Sequence, residues 1–289
     1  MKQTSLLDTA AQLAQAQGAP VNTLVKELLH YEILYAMGQS GVLENLVFQG
    51  GTALRLCYGG LRYSEDLDFV SGYAIPQLPI QNFIDILTRQ IAQAYGLEVE
   101  VTTSKGDDRN KNNSVNVERW KAKIKVPNPN PSIKQAQFIH IEIANVPAYE
   151  RDYLPIAQNY IGLPVHLRQM LIAVEKESEI LADKIVALGA REYLKARDVW
   201  DIKFLRDKGV TLNQVLVHKK IQDYHLDQEV FKKSLLARAE YLTTEKAKKE
   251  FIDEMSRFVN GGTLKMFSMP DFVDNYLACS ADMAHTFAL

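Results

Sequence analysis

The chain has 289 residues, and its 33 Lys and Arg residues and 35 Asp and Glu residues leave a formal net charge of −2. With 47% hydrophobic and 24% charged residues, the composition is that of a globular protein and excludes disordered, collagen-like and fibrous chains. No apolar run reaches the roughly 18 residues of a membrane-spanning helix, and the amino terminus lacks the pattern of a secretory signal. Cys57 and Cys279 are too few for a disulfide framework, so we expect a cytoplasmic protein with no membrane partner.

Helical and strand patterns alternate in the first half of the chain. Apolar residues at helical spacing predict helices at Thr23–Met37 and Ile80–Tyr95, the second of which ends at Gly96. Short apolar or alternating runs predict six strands. They are Leu46–Phe48, Leu67–Val70, Leu97–Thr103, Ser114–Val126, Gln137–Ala144 and Met170–Val174. The polar run Lys105–Asn113 predicts a loop.

Helical patterns dominate the second half of the chain. Ser178 is predicted as the N-cap of a helix with the sequence EILADKIVALGA, and mostly helical sequence follows to Leu289. We therefore predict an α/β domain with amino-terminal helices at residues 1–165, followed by a mainly helical domain at residues 166–289.

Two aspartates on a predicted strand form the first candidate site. Asp66 and Asp68 share one face with Cα atoms roughly 6.5 Å apart, while Leu67 and Phe69 point into the core. Like charges this close are unfavourable without a cation. Hard oxygen ligands in this arrangement suit one or two Mg²⁺ ions together with substrate phosphates. The alternative is a solvated strand end, since such aspartate pairs are common by chance.

A glycine-containing turn precedes those aspartates. A strand ending in Gly50-Gly51-Thr52 runs into a helix with the sequence ALRLCY. Glycines let backbone N–H groups approach an anion closely, the helix start carries partial positive charge, and Thr52 adds a hydroxyl. Two glycines alone usually form only a turn, but the turn and the aspartates together favour a metal–nucleotide site.

A third carboxylate is available on the predicted strand Gln137–Ala144. Its isoleucines share one face, while Glu142 and His140 share the other. Glu142 could join the aspartates if the two strands are neighbours, and His140 would then be a neighbour rather than a ligand. The alternative for Glu142 is an exposed glutamate on a half-buried strand.

Charged residues in two further segments have both functional and structural interpretations. Lys184 lies off the apolar stripe of a predicted helix and could neutralise triphosphate charge, and Arg191, seven residues on, lies on about the same face. The alternative is a surface lysine next to an intrahelical Arg197–Asp201 pair. A row of cations on one face of the strand Ser114–Val126 could follow a phosphate backbone or keep an edge strand soluble. The row consists of Arg119, Lys121, Lys123 and Lys125.

With these residues in place, the chain resembles the nucleotidyltransferases of the AbiEii toxin family, the enzymatic halves of type IV toxin–antitoxin pairs, which include the MenT toxins. The similarity runs from about Gly50 to Leu205, and its strongest parts are GGTALRLCYGGLRYSEDLDF and LADKIVALGAREYLKARDVWDI. The resemblance implies an α/β (α+β) nucleotidyltransferase core of the polymerase-beta type with a mixed sheet. It also implies a C-terminal helical bundle that contributes to the active site.

The resemblance also implies a role for each matching residue. The residues that would hold the triphosphate of an NTP are Gly50, Gly51 and Thr52. Asp66 and Asp68 would bind Mg²⁺. Lys184 would contact nucleotide phosphate, and Asp198 would support the site. Glu142 would be a third catalytic carboxylate, with Arg62 and Ser64 lying around the nucleotide.

The implied reaction transfers an NMP to an acceptor with release of pyrophosphate. The tRNA 3′ end is the leading acceptor, phage defence is the setting, and a co-encoded winged-helix antitoxin is the partner. The residues leave two alternatives open. One is a nucleotidyltransferase that modifies a protein or small-molecule hydroxyl, and the other is a non-catalytic NTP-binding regulatory module.

Overall fold

The computed structural model describes residues 6–104, 115, 117–126, 136–157, 159–160, 163 and 170–288. The predicted loop Lys105–Asn113 and the predicted strand residue Ser114 lie outside this part of the chain. The chain divides into two compact units. The first, the sheet unit, comprises Met1–Lys111 and Asn116–Val174, and the second, the helical unit, comprises Asn112–Val115 and Glu175–Leu289.

Four α-helices are described in the sheet unit. They are α1 (Leu6–Gln17), α2 (Val21–Gln39), α3 (Gly50–Cys57) and α4 (Ile80–Tyr95). Helix α4 has the predicted bounds, and Gly96 ends it in the left-handed conformation with φ 66°. Helix α3 begins at Gly50, so the segment predicted as a turn is its first helical turn.

Seven strands of the described residues form one mixed sheet in the order β3-β4-β5-β2-β1-β7-β6. The strands are β1 (Val47–Gln49), β2 (Leu67–Val70), β3 (Glu98–Ser104), β4 (Val117–Lys125), β5 (Ala136–Ala144), β6 (Arg151–Pro155) and β7 (Leu171–Glu175). The sequence predicts all of them except β6. Because β7 pairs with β1 through Val174 and Phe48, the sheet unit extends to Val174, beyond the predicted division at residue 165.

The strand register places the candidate carboxylates Asp68 and Glu142 next to each other on neighbouring strands. Strand β2 is antiparallel to β1, and Gln49 is level with Asp68. Strand β5 runs parallel to β2, and Glu142 is level with Asp68. The opposite faces of these strands are buried, with Leu67, Phe69 and the isoleucines of β5 in the core. The carboxylates therefore sit on strands that are fixed by their other face.

The helical unit contains seven described helices. They are α5 (Glu177–Ala190), α6 (Ala196–Asp207), α7 (Gln214–Asp223), α8 (Gln228–Leu242), α9 (Glu245–Met255), α10 (Gly261–Met266) and α11 (Phe272–Ala288). Helix α5 begins one residue before the predicted N-cap Ser178, and Lys176 occupies the cap position without a side-chain hydrogen bond. Trp200 of α6 stacks on Tyr276 of α11 with ring centres 4.6 Å apart. Among the described helices, none is long and apolar enough to cross a membrane.

Candidate active site

The junction between β1 and α3 approaches the carboxylate of Asp68 closely. Gly50 has a φ of 77°, and a Cβ atom at this position would lie 2.7 Å from Oδ2 of Asp68. Any side chain would therefore meet the carboxylate and would also be strained in the left-handed region. Glycine at this position lets the start of α3 and the aspartate share one small space.

The second glycine makes room for Arg62. A Cβ atom on Gly51 would collide with Nη2 of Arg62, whose buried side chain donates from Nη1 to the Tyr63 carbonyl at 3.0 Å. A guanidinium group thus lies against the first turn of α3. Its charge adds to the partial positive charge of the helix start, and both favour an anion there.

Thr52 has a structural contact that the sequence does not reveal. Its buried hydroxyl donates a hydrogen bond to the backbone carbonyl of Asp66. While this bond holds, the hydroxyl proton is not available to a phosphate. Thr52 therefore ties the first turn of α3 to the segment that carries the aspartates. Ser64, in the same segment, is buried.

Asp66 and Asp68 are both half-buried, but only Asp68 lies within a strand. Asp66 immediately precedes β2, so the prediction that both lie on the strand is wrong by one residue. Oδ1 of Asp66 lies 3.2 Å from Nδ1 of His140. His140 is therefore in contact with the aspartate pair, as a neighbour of it.

Glu142 meets the geometric condition for joining the aspartates, because its strand β5 adjoins β2 at the level of Asp68. Its carboxylate also accepts a hydrogen bond from Nε of Arg119 on β4, with 2.8 Å between Nε and Oε1. Both side chains are partly exposed. Arg119 thus balances the charge of Glu142.

The oxygen atoms at this end of the sheet suit a hard divalent cation. Magnesium is usually held by one or two carboxylates together with substrate phosphates and water. Asp66 and Asp68 provide such carboxylates beside the first turn of α3. In the described part of the chain, no group of three or more His, Cys, Asp and Glu side chains is positioned to hold a metal.

In the helical unit, Lys184 lies between two buried aspartates. Its Nζ atom is 2.9 Å from Oδ1 of Asp198 and 2.9 Å from Oδ2 of Asp201. Arg191 forms a second ion pair with Asp198. The four side chains therefore form a charge-balanced cluster that fixes Lys184 to α6.

The alternative prediction, a surface lysine next to an intrahelical Arg197–Asp201 pair, is wrong in two respects. Lys184 is not a surface lysine, since only 12% of its side chain is exposed. Nε of Arg197 pairs with Oε1 of Glu254 at 3.3 Å rather than with Asp201. The aspartate predicted to belong to an intrahelical pair instead holds Lys184.

The cationic row on β4 is largely balanced by neighbouring strands. Strand β4 lies between β3 and β5, so the alternative of an edge strand is wrong. Lys123 pairs with Glu100 at 3.1 Å, and Lys125 pairs with Glu98 at 2.5 Å. Lys121 instead lies over the ring of Phe138, with Nζ 4.5 Å from the ring centre.

Two buried ion clusters have no counterpart in the sequence-based predictions. Arg55 on α3 donates from Nε to both carboxylate oxygens of Glu27 on α2, at 3.1 and 3.2 Å, which fixes α3 to α2. In the helical unit, Nζ of Lys220 lies 3.1 Å from Glu175 and 2.7 Å from Glu179. These partners are far apart in sequence, and the only available signal is a charge on an otherwise apolar helix face.

Comparisons with known proteins place the chain in a family. A family model described as "Nucleotidyl transferase AbiEii toxin, Type IV TA system" matches residues 32–275. A search of curated proteins found no match. Among solved structures, JHP933 from Helicobacter pylori is 17% identical, with a TM-score of 0.49 over 93% of this chain and 94% of its own.

A second H. pylori protein, described as a candidate nucleotidyltransferase, is 19% identical, with a TM-score of 0.46 over 91% of this chain and 95% of its own. At these values neither structural likeness bears on the site. The family model, in contrast, covers well over half of the chain. The protein is therefore a nucleotidyltransferase and belongs to the AbiEii toxin family of type IV toxin–antitoxin systems.

Proposed function

We propose that this enzyme transfers an NMP from an NTP to the 3′ end of an RNA, with tRNA as the leading acceptor, in a Mg²⁺-dependent reaction. The observation that carries the proposal is the close approach of Gly50 to the Asp68 carboxylate. It puts the first turn of α3, which would bind the phosphates, next to a carboxylate that would bind the cation, within one unit of the protein. A triphosphate on α3 would have its phosphates beside both aspartates.

Residues of the sheet unit would bind both the triphosphate and the cation. The backbone N–H groups of Gly50, Gly51 and Thr52 would bind the triphosphate, and Arg62 would add positive charge beneath it. Asp66 and Asp68 would hold Mg²⁺. When bound, that cation neutralises phosphate charge and lowers the pKa of an attacking hydroxyl. Ser64 would support the same loop.

The chemical step is an in-line displacement at the α-phosphate of the NTP. A bond forms between the acceptor hydroxyl oxygen and the α-phosphorus, and the hydroxyl proton is lost to solvent. The bond between the α-phosphorus and the oxygen that bridges it to the β-phosphate breaks, which releases pyrophosphate. Such reactions depend mainly on positioning and charge stabilisation. Glu142, held by Arg119 beside Asp68, would be the third carboxylate of the site and would fix the acceptor hydroxyl.

Lys184 and Asp198 have roles here that rest on family membership. Lys184 would contact a nucleotide phosphate, and Asp198 would act through Lys184 because it pairs with the ammonium group. Asp201 shares this positioning role.

The biological setting follows from the family, whose type IV systems pair a toxin with an antitoxin. We infer a cytoplasmic toxin that acts in phage defence, with a co-encoded winged-helix antitoxin as its partner. Addition of a nucleotide to the tRNA 3′ end would block aminoacylation, which accounts for toxicity.

The test is incubation of the purified protein with Mg²⁺, each α-³²P-labelled NTP in turn, and total tRNA, beside the Asp68→Ala variant. We expect label on tRNA with wild type only. Label in protein or in a small molecule, and none in tRNA, would show that the acceptor is not RNA. NTP binding without turnover on any acceptor would indicate a regulatory module instead.

A further inference from the structure

An exposed strip of aromatic side chains lies on β5. Ile139, Ile141 and Ile143 are buried, whereas the alternate residues face outward. Two of these are Phe138, which is 36% exposed, and His140, whose side chain is 46% exposed. Their rings are two residues apart on one face of the sheet, a spacing of roughly 6.5 Å.

The strip leads directly to the carboxylates. Nδ1 of His140 lies 3.2 Å from Oδ1 of Asp66. Phe138 is two residues farther along β5, away from the Asp68 level that Glu142 marks. The two rings therefore form a row with the candidate metal-binding residues at one end.

A cation accompanies the rings. Lys121 on β4 is level with His140, and its Nζ lies 4.5 Å from the centre of the Phe138 ring. The outer lysines of the same strand face lie instead against glutamates of β3, with Lys125 paired to Glu98. Lys121 therefore combines a positive charge with an aromatic ring, and it lies closer to the carboxylates along β4 than Lys123 and Lys125 do.

We propose that Phe138, His140 and Lys121 bind the last unpaired nucleotides of the RNA acceptor and direct its 3′ hydroxyl toward Asp66. A single strand offers a flat base face and a phosphate in each nucleotide, and sheets that bind single-stranded RNA use aromatic rings and cations for these two features. Bases within a duplex are already stacked and cannot lie on the rings. This inference deepens the proposed function and rests on RNA as the acceptor.

We call Phe138, His140 and Lys121 the RNA platform. Phe138 is the residue at which to test it, because its ring belongs to the platform but is not among the carboxylates or their contacts described above. Binding is measured with a fluorescein-labelled hairpin RNA that carries a four-nucleotide 3′ overhang, and with the same hairpin blunt-ended, in EDTA without NTP. We expect tighter binding of the overhang RNA, about tenfold weaker binding by Phe138→Leu, and wild-type binding by Phe138→Trp. Tyr153→Leu is the matched control, since Tyr153 is an exposed aromatic residue (64%) on β6.

Lys121 provides a second test with a control on the same strand face. Lys121→Gln should weaken overhang binding several-fold and reduce its salt dependence. Lys125→Gln should change both less, because Glu98 already balances Lys125. In the transfer reaction, Phe138→Leu should raise KM for the RNA about tenfold and leave KM for the NTP unchanged.

Two results would overturn the platform. One is equal wild-type affinity for overhang and blunt RNA, and the other is unchanged overhang binding by Phe138→Leu. Because binding is measured without NTP, these results are separate from the proposed transfer. The two proposals can also fail separately. If overhang binding depends on Phe138 but the transfer reaction labels only protein, the platform stands and RNA is refuted as the acceptor.

Discussion

The carboxylate of Asp68 leaves no room for a side chain at Gly50: a Cβ atom there would lie 2.7 Å from Oδ2. This relationship joins the first turn of α3 to strand β2. It also explains why a glycine with a φ of 77° stands at the junction. A substitution at Gly50 therefore tests whether the contact matters to catalysis.

We expect Gly50→Ala to lower kcat about 100-fold, because the new methyl group displaces the Asp68 carboxylate by a fraction of an ångström to an ångström. The matched control is Gly59→Ala. Gly59 has a φ of 76°, and a Cβ atom there would have no atom within 4 Å, so this variant carries the same backbone strain of roughly 1–2 kcal/mol without the contact. Steady-state kinetics and urea unfolding of both variants separate the two effects; equal loss of kcat in both would contradict the role of the contact.

Lys184→Met should destabilise the protein by about 3 kcal/mol, since it removes a cation shared by the buried carboxylates of Asp198 and Asp201. Lys203→Met is the control. Lys203 pairs with the exposed Asp207, and such surface pairs contribute at most about 1 kcal/mol. Urea unfolding at neutral pH measures both. Similar stability of the two variants would show that the Lys184 cluster is not a structural anchor.

His30 should make stability depend on pH below 6.5. Burial lowers the pKa of His30 below its ordinary 6.5 in the folded protein, and its Nε2 donates to the Glu65 carbonyl at 3.0 Å. Below pH 6.5 the unfolded chain binds the proton first, so acid favours unfolding. The contribution is fully present above pH 6.5 and falls by up to about 1.4 kcal/mol per pH unit as the pH drops toward the folded pKa.

The measurement is urea unfolding at pH 7.5 and 5.5 for wild type and His30→Gln, with the exposed His285→Gln as control. Wild type and the control should lose more stability between the two pH values than His30→Gln does. An identical loss in all three proteins would exclude His30 as the source.

Cys57 should be unreactive in the folded protein. Burial raises the pKa of its thiol to about 12, so at pH 8 only roughly one molecule in 10,000 carries the reactive thiolate. Iodoacetamide at pH 8, followed by peptide mass spectrometry, should modify Cys57 only after unfolding in urea. Rapid modification of Cys57 in the folded protein would contradict the raised pKa of its thiol.

Local patterns predict much of the fold. Ile80–Tyr95 and Leu67–Val70 have the same bounds as α4 and β2, because their apolar residues recur at the helix and strand periods. Strand β6 (Arg151–Pro155) escapes prediction since its residues are half-exposed or exposed and none is buried. Ser178 is a reasonable cap from sequence, yet α5 begins at Glu177, because the helix can start without a side-chain cap.

The candidate site is likewise predicted only in part from the sequence. The Gly50-Gly51-Thr52 and Asp66–Asp68 segments are short motifs that sequence alone identifies. The contacts that define their roles connect residues distant in sequence, such as Thr52 with the Asp66 carbonyl and Arg119 with Glu142. Side-chain partners depend on strand order, which periodicity does not determine. Strand order likewise decides that β4 is an interior strand.

We expect the enzyme to transfer an NMP to the terminal hydroxyl of the RNA in a step that requires Asp66 and Asp68. The most direct test supplies the enzyme with Mg²⁺, α-³²P-labelled NTPs and either intact tRNA or tRNA whose 3′-terminal diol has been destroyed by periodate, with Asp68→Asn in parallel. We expect label on intact tRNA with wild type, and none on oxidised tRNA or with the variant. Equal labelling of intact and oxidised tRNA, or full activity of Asp68→Asn, would contradict the claim.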